Sequence, residues 1–157
     1  MAEGWKGANK VFLVKFSMPD TGTEGFNKNM PAAWILHASI ARTGQYTDCS
    51  CWKGDLECPQ AGSCGEADIF EVLESGSKKL TSTFHFADSL GTSDYFDRPV
   101  DKAITAAIVF QASSSMVSVK VLDDDFDFSS TLTPEQVDEL MNDESESDTI
   151  SMMSFGG

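Results

Sequence analysis

Three carboxylates stand within six residues of an otherwise apolar segment, Gly65-Glu66-Ala67-Asp68-Ile69-Phe70-Glu71-Val72-Leu73. On a regular β-strand Glu66 and Asp68 share a face and Glu71 points the other way. A β-bulge near Ile69 and Phe70 returns Glu71 to the first face, and bulges are common beside active sites. All three acids then line one concave surface. Glycoside hydrolysis uses such a set. In a retaining enzyme one carboxylate attacks the anomeric carbon, and a protonated one about 5–5.5 Å away donates to the leaving oxygen. A third acid between them orients the nucleophile and holds the acid's pKa up by like-charge repulsion. The competing account is a half-wet strand whose polar face happens to be acidic. Burying uncompensated acids among Ile69, Phe70, Val72 and Leu73 is costly, which favours a functional role.

Sugar sites combine aromatic faces with polar rims. Trp52, just before the acidic strand, is the preferred stacking platform, with Tyr46 as a second candidate. Trp34 lies inside an apolar run and is expected in the core. His85 falls on the strand expected to pair with the acidic one, where it could face the cleft and tune Glu71. No metal site is expected, since His37 and His85 have no ligand spacing, and no cofactor is implied.

Cys49, Cys51, Cys58 and Cys64 fall within sixteen residues, and the rest of the chain has none. Cys49-x-Cys51 is tighter than the usual zinc spacing. Disulfides pinning a long connection are favoured, with Cys49 and Cys51 pairing onward to Cys58 and Cys64 in either of two arrangements. That requires an oxidising compartment, yet the start lacks the pattern of a secretory signal. The expectation is therefore a chain missing its true N-terminus.

Short β-type runs position these residues. Residues 11–16, 34–40, 69–73, 81–86, 104–110 and 116–121 are apolar, β-branched or alternating, with Gly, Pro and Ser turns between them. The pattern predicts an antiparallel β-sandwich rather than a βαβ protein. Thr133 as cap, Pro134 at the first helical position and Gln136 completing a capping box predict one short C-terminal helix, with Val137, Leu140 and Met141 on one face.

The 157-residue chain has a net charge of −14. Residues 1–122 hold 14 acidic and all 11 basic residues, so the body carries only −3. Residues 123–157 are acidic without a Lys or Arg. Residues 1–142 are expected to form one domain, and 143–157 an acidic, Ser-rich disordered tail. No basic stripe exists for nucleic acid or anionic lipid. No run approaches the roughly 20 apolar residues of a membrane helix. Residues 123–127 do not fit a calcium loop.

The longer context carries a resemblance. The pattern E-x-D-x-x-E looks like the active-site strand of laminarinase-type jelly rolls of glycoside hydrolase family 16. Asn29-Met30-Pro31-Ala32-Ala33-Trp34, Arg42-Thr43-Gly44-Gln45-Tyr46, Cys49-Ser50-Cys51-Trp52, Cys64-Gly65-Glu66, Thr83-Phe84-His85 and Asp94-Tyr95-Phe96-Asp97-Arg98-Pro99 together resemble a fungal family of cell-wall glycosyl hydrolases. That family is typified by the yeast "target of SBF" protein, and the likeness runs over roughly residues 4–141. It implies Glu66 as nucleophile, Asp68 as its helper and Glu71 as acid/base. The resemblance implies a β-1,3-linked β-glucan as substrate, in an extracellular or cell-wall setting. It also implies a jelly-roll-like sandwich whose first strands are missing here. Two other readings compete: a non-catalytic glucan-binding or structural wall module, and a zinc-clustered intracellular interaction domain.

Overall fold

A computed structural model describes residues 4–38, 49–50, 62–63, 65–85, 93–126, 131–142 and 150–154, with the backbone alone at 49–50, 62–63, 93–94 and 150–154. The chain divides into two compact units. One comprises Met1–Gly4 with Gly22–Phe96, the other Trp5–Thr21 with Asp97–Gly157. Both are built on antiparallel four-stranded sheets, and the expected all-β class with a short C-terminal helix is borne out.

The first unit contains β2 (Ala32–Leu36), β5 (Glu66–Glu71), β6 (Lys79–His85) and β7 (Ser93–Asp97), ordered β2-β5-β6-β7. Between β2 and β5, β3 (Cys49–Ser50) and β4 (Gly62–Ser63) form a two-stranded parallel pair. One face of the four-stranded sheet is apolar: Ala67, Phe70, Leu80, Phe84 and Phe96 are buried there, with Ser82 among them. Phe70 and Phe96 meet edge to face, ring centroids 5.2 Å apart. The Val72 amide donates to the Pro31 carbonyl at 3.1 Å and holds the chain leaving β5 against the entry to β2.

The second unit orders β1 (Lys10–Phe16), β8 (Ile104–Gln111), β9 (Met116–Leu122) and β10 (Ile150–Ser154) side by side. Helix α1 (Pro134–Met141) lies on one face of it. Leu140 and Met141 join Ala107 and Val109 in a cluster that Val11, Leu13 and Val137 flank. The residues in the opposite register, Ala106, Ile108, Val117 and Val119, are buried as well. A strand buried on both faces needs no alternation, which is why β8 reads as a continuous apolar run. The helix begins as its sequence predicts. The Gln136 amide donates to Thr133 Oγ1 at 3.3 Å, and the Thr133 amide donates to Gln136 Oε1 at 2.9 Å. Near its end, Ser118 Oγ donates to the Leu140 carbonyl at 2.8 Å.

Within the stretch expected to be a loose tail, Ile150–Ser154 forms β10 and pairs antiparallel with β9. Ile150, Met152 and Met153 suit a strand, although the surrounding Ser and acidic residues mask the signal.

Candidate active site

The site is built on β5, and its register with both neighbours fixes where the acids point. Against β6, Glu66 pairs with His85, Asp68 with Thr83 and Glu71 with Thr81. Three residues of β5 after position 68 thus span two of β6. Against β2, Glu66, Asp68 and Glu71 pair with Leu36, Trp34 and Ala32. The partners recur at every second position on both flanking strands, so all three carboxylates share one face. The irregularity is the expected bulge: Ile69 and Phe70 take the room of one residue, and Phe70 turns to the apolar face opposite Ala33.

Entry to this strand depends on a glycine. Gly65 has φ +87°, and a Cβ there would lie 3.4 Å from the His85 carbonyl oxygen. The contact is an ordinary van der Waals one, but the positive φ strains any residue that carries a side chain. The result is Glu66 seated opposite His85.

Burial and mutual repulsion set the electrostatics. Asp68 is buried, and its pKa rises from 3.8 to about 8. Loss of solvation is the main cause, followed by the charges of Glu66 and Glu71 and a side-chain hydrogen bond with Glu66. Burial and then Glu66 also push Glu71 up, while His85 pulls it down. His85 Nε2 lies 3.1 Å from Asp68 Oδ2. Asp68 is thus a direct partner of His85, and the effect of His85 on Glu71 is coulombic.

Glu66, Asp68 and His85 each offer one ligand atom, all within 4.8 Å of one another, and form the cluster among the described residues that could hold a metal ion.

The structure corrects one expectation. Trp34 is not in the core: it stands opposite Asp68 on the acid face and is 50% exposed. The apolar run around it gives no parity, and only its pairing with β5 reveals its face. Trp52 and Tyr46 lie outside the described residues, as do Cys51, Cys58 and Cys64. Of Cys49 only the backbone is described, paired with Gly62.

Fold and site define an all-β protein carrying a bulged, three-carboxylate strand. Comparison with known proteins narrows this. Residues 1–140 match the family described as "Cell wall protein YJL171C/Tos1, C-terminal", and the chain belongs to that family. It is 43% identical over 142 residues to the Saccharomyces cerevisiae protein named "Probable circularly permuted 1,3-beta-glucanase TOS1", a match covering 88% of this chain and 29% of that protein. An Arthroderma benhamiae protein named "Probable circularly permuted 1,3-beta-glucanase" is 41% identical over 161 residues, covering 96% of this chain and 34% of its own. A second S. cerevisiae protein, "Probable circularly permuted 1,3-beta-glucanase YJL171C", is 35% identical over 164 residues, 94% of this chain and 39% of that one. The chain thus spans about a third of the length of these relatives. No solved structure matches. Among the described residues, no helix is long and apolar enough to cross a membrane.

Proposed function

We propose that this chain carries the catalytic strand of a cell-wall glycoside hydrolase that cleaves β-1,3-glucan with retention of configuration. One observation carries the reading: the bulge in β5 puts Glu66, Asp68 and Glu71 on one face, with Asp68 and Glu71 both held above ordinary carboxylate pKa values. A merely solvated acidic face has no reason to raise the pKa of two of its three acids through burial and mutual repulsion. The names of the relatives support a 1,3-β-glucan substrate, and the family's description supports a wall setting.

Glu66 is the nucleophile. Its carboxylate forms a bond to the anomeric carbon while the glycosidic C–O bond breaks, and Glu71 gives its proton to the departing oxygen. A water then loses a proton to Glu71 and attacks the same carbon, releasing Glu66. Asp68, protonated and hydrogen-bonded to Glu66, orients the nucleophile and spares the face a further negative charge. A neutral polysaccharide needs no opposite charge on the protein, in keeping with a body of low net charge.

An extracellular wall setting goes with disulfides among Cys49, Cys51, Cys58 and Cys64 rather than a zinc cluster. Four reactive thiols with one bound zinc, counted without reductant, would sink that pairing.

Glu66→Gln and Glu71→Gln test the mechanism. Each is expected to lower reducing-sugar release from laminarin by at least about 100-fold. Equal release by both variants and the parent would refute catalysis by this strand. Binding without release in all three makes the acid face a glucan-binding surface instead.

A further inference from the structure

The acid face carries two exposed aromatic side chains, one on each outermost strand of its sheet. Trp34 on β2 is 50% exposed and stands opposite Asp68. Tyr95 on β7 is 58% exposed. Its face follows from its neighbour. Phe96 is 1% exposed and packs its ring against Phe70, which the bulge turns to the apolar side. Two rings in contact lie on the same side of a sheet, so Phe96 points to the apolar face. Strand alternation then sends Tyr95 to the acid face. The exposure of the two residues agrees with that parity.

Between the two rings lie the three acids of β5 and then Thr81, Thr83 and His85 of β6, all on the same face. Neighbouring strands are about 4.8 Å apart, close to the advance of one pyranose unit along a chain. A glucan laid across the strands meets an indole, the acids, the half-buried Thr83 and an imidazole, and finally a phenol. Aromatic faces pack against the C–H-rich faces of pyranose rings, and tyrosine adds a polar tip for a sugar hydroxyl. Scattered surface aromatics are ordinary, but these two bracket the acids on one face.

From this we infer that Trp34 and Tyr95 are the sugar-stacking platforms on opposite sides of the cleavage point. Trp34 holds the glucosyl units that lie beyond β5 towards β2, and Tyr95 those that lie beyond β6. The ligand class is a β-1,3-gluco-oligosaccharide long enough to reach both rings. The inference rests on the glycosidase reading for its ligand, and on the alternation of β2 and β7 for its residues.

Laminarihexaose binding, measured by calorimetry on the full chain with Glu66→Gln to stop turnover, tests it. Trp34→Ala and Tyr95→Ala should each weaken binding about tenfold. Trp34→Phe and Tyr95→Phe, which keep a ring and guard against a folding defect, should stay within about twofold of the background. Phe26→Ala removes an aromatic that is 92% exposed outside the sheet and should change nothing. Unchanged affinity in both alanine variants overturns the platforms, as does absence of binding by the background chain. Reducing-sugar release from laminarin by chains with Glu66 restored separates the two readings. Release that needs Glu66 and Glu71, with binding undiminished in the alanine variants, overturns the platforms and leaves the acids standing. Binding lost in the alanine variants, with release indifferent to Glu66 and Glu71, keeps the platforms and overturns the acids.

Discussion

His85 Nε2 and Asp68 Oδ2 are joined at 3.1 Å, a side-chain hydrogen bond that ties β6 to β5 in the middle of the acid face. Asp68 is also hydrogen-bonded to Glu66, so His85, Asp68 and Glu66 form a chain of contacts ending at the proposed nucleophile. Position alone does not make His85 a sugar ligand. It is bonded to Asp68, and in the proposed mechanism it acts through Asp68 on the orientation of Glu66.

Removing the ring should therefore affect turnover more than binding. His85→Ala is expected to lower kcat about tenfold with KM within about twofold. Its pH profile should shift as well. His85 pulls the pKa of Glu71 down against burial and Glu66, which push it up. Without His85, Glu71 keeps its proton to higher pH, so the alkaline limb of kcat against pH moves up. A limb that stays in place, or a loss confined to KM, would assign His85 to substrate contact.

Asp68 gives a stability prediction. An acid whose pKa rises from 3.8 to about 8 on folding contributes stability in full below 3.8. That contribution declines as pH climbs and is gone above about 8. Asn cannot ionise and still has a carbonyl and an amide for His85 and Glu66. The melting temperature of Asp68→Asn relative to the parent should therefore climb steadily from pH 4 to pH 8 and level off above. A constant difference across that range would mean that burial of Asp68 does not disfavour its charge.

The roles of the two glutamates can be separated by azide, which attacks without needing a general base. With an activated aryl β-glucoside of laminaribiose, whose leaving group needs no acid, Glu71→Ala still forms the covalent intermediate on Glu66. Azide should then speed turnover and give a β-glycosyl azide, since two inversions amount to retention. In Glu66→Ala a single displacement should give the α-azide. Proton NMR of the products distinguishes the anomers, and the reverse assignment would exchange the two roles.

The acid face was legible because its spacing breaks the strand period. Carboxylates at positions 66, 68 and 71 can share a face only through an extra residue, and Ile69 with Phe70 supplies it. The helix was legible for a similar local reason: Thr133 and Gln136 satisfy each other's amides within four residues. Trp34 was not, because the segment Ala32–Leu36 is apolar throughout and parity appears only across the pairing with β5. Nor was β7, where Asp94 and Asp97 interrupt a five-residue segment and Phe96 packs against the distant Phe70. The strand β10 pairs with a partner some thirty residues away through a composition that favours solvent. What stayed hidden depends on non-local pairing, which local patterns do not encode.

Arg98 anchors the second unit, and its loss should be felt in stability rather than in sugar chemistry. It is buried at 5% exposure, and its Nε and Nη2 donate to the carbonyls of Met18 at 2.8 Å and Pro19 at 2.7 Å. The Met18 amide returns a bond to the Pro99 carbonyl at 2.9 Å. The chain leaving β1 is thereby tied to the chain following β7. Arg98→Met fills much of the space but leaves two carbonyls short of donors, which costs about 2–4 kcal/mol. Arg98→Lys should recover only part of that, since one ammonium on a flexible stem replaces a rigid fork. The exposed pair of Lys102 with Asp124, at 2.7 Å, is the contrast, and Lys102→Ala should leave stability unchanged because water screens that bond. Urea midpoints at constant slope measure all three. A midpoint for Arg98→Met equal to that of the parent would show that the fork does not hold these segments together.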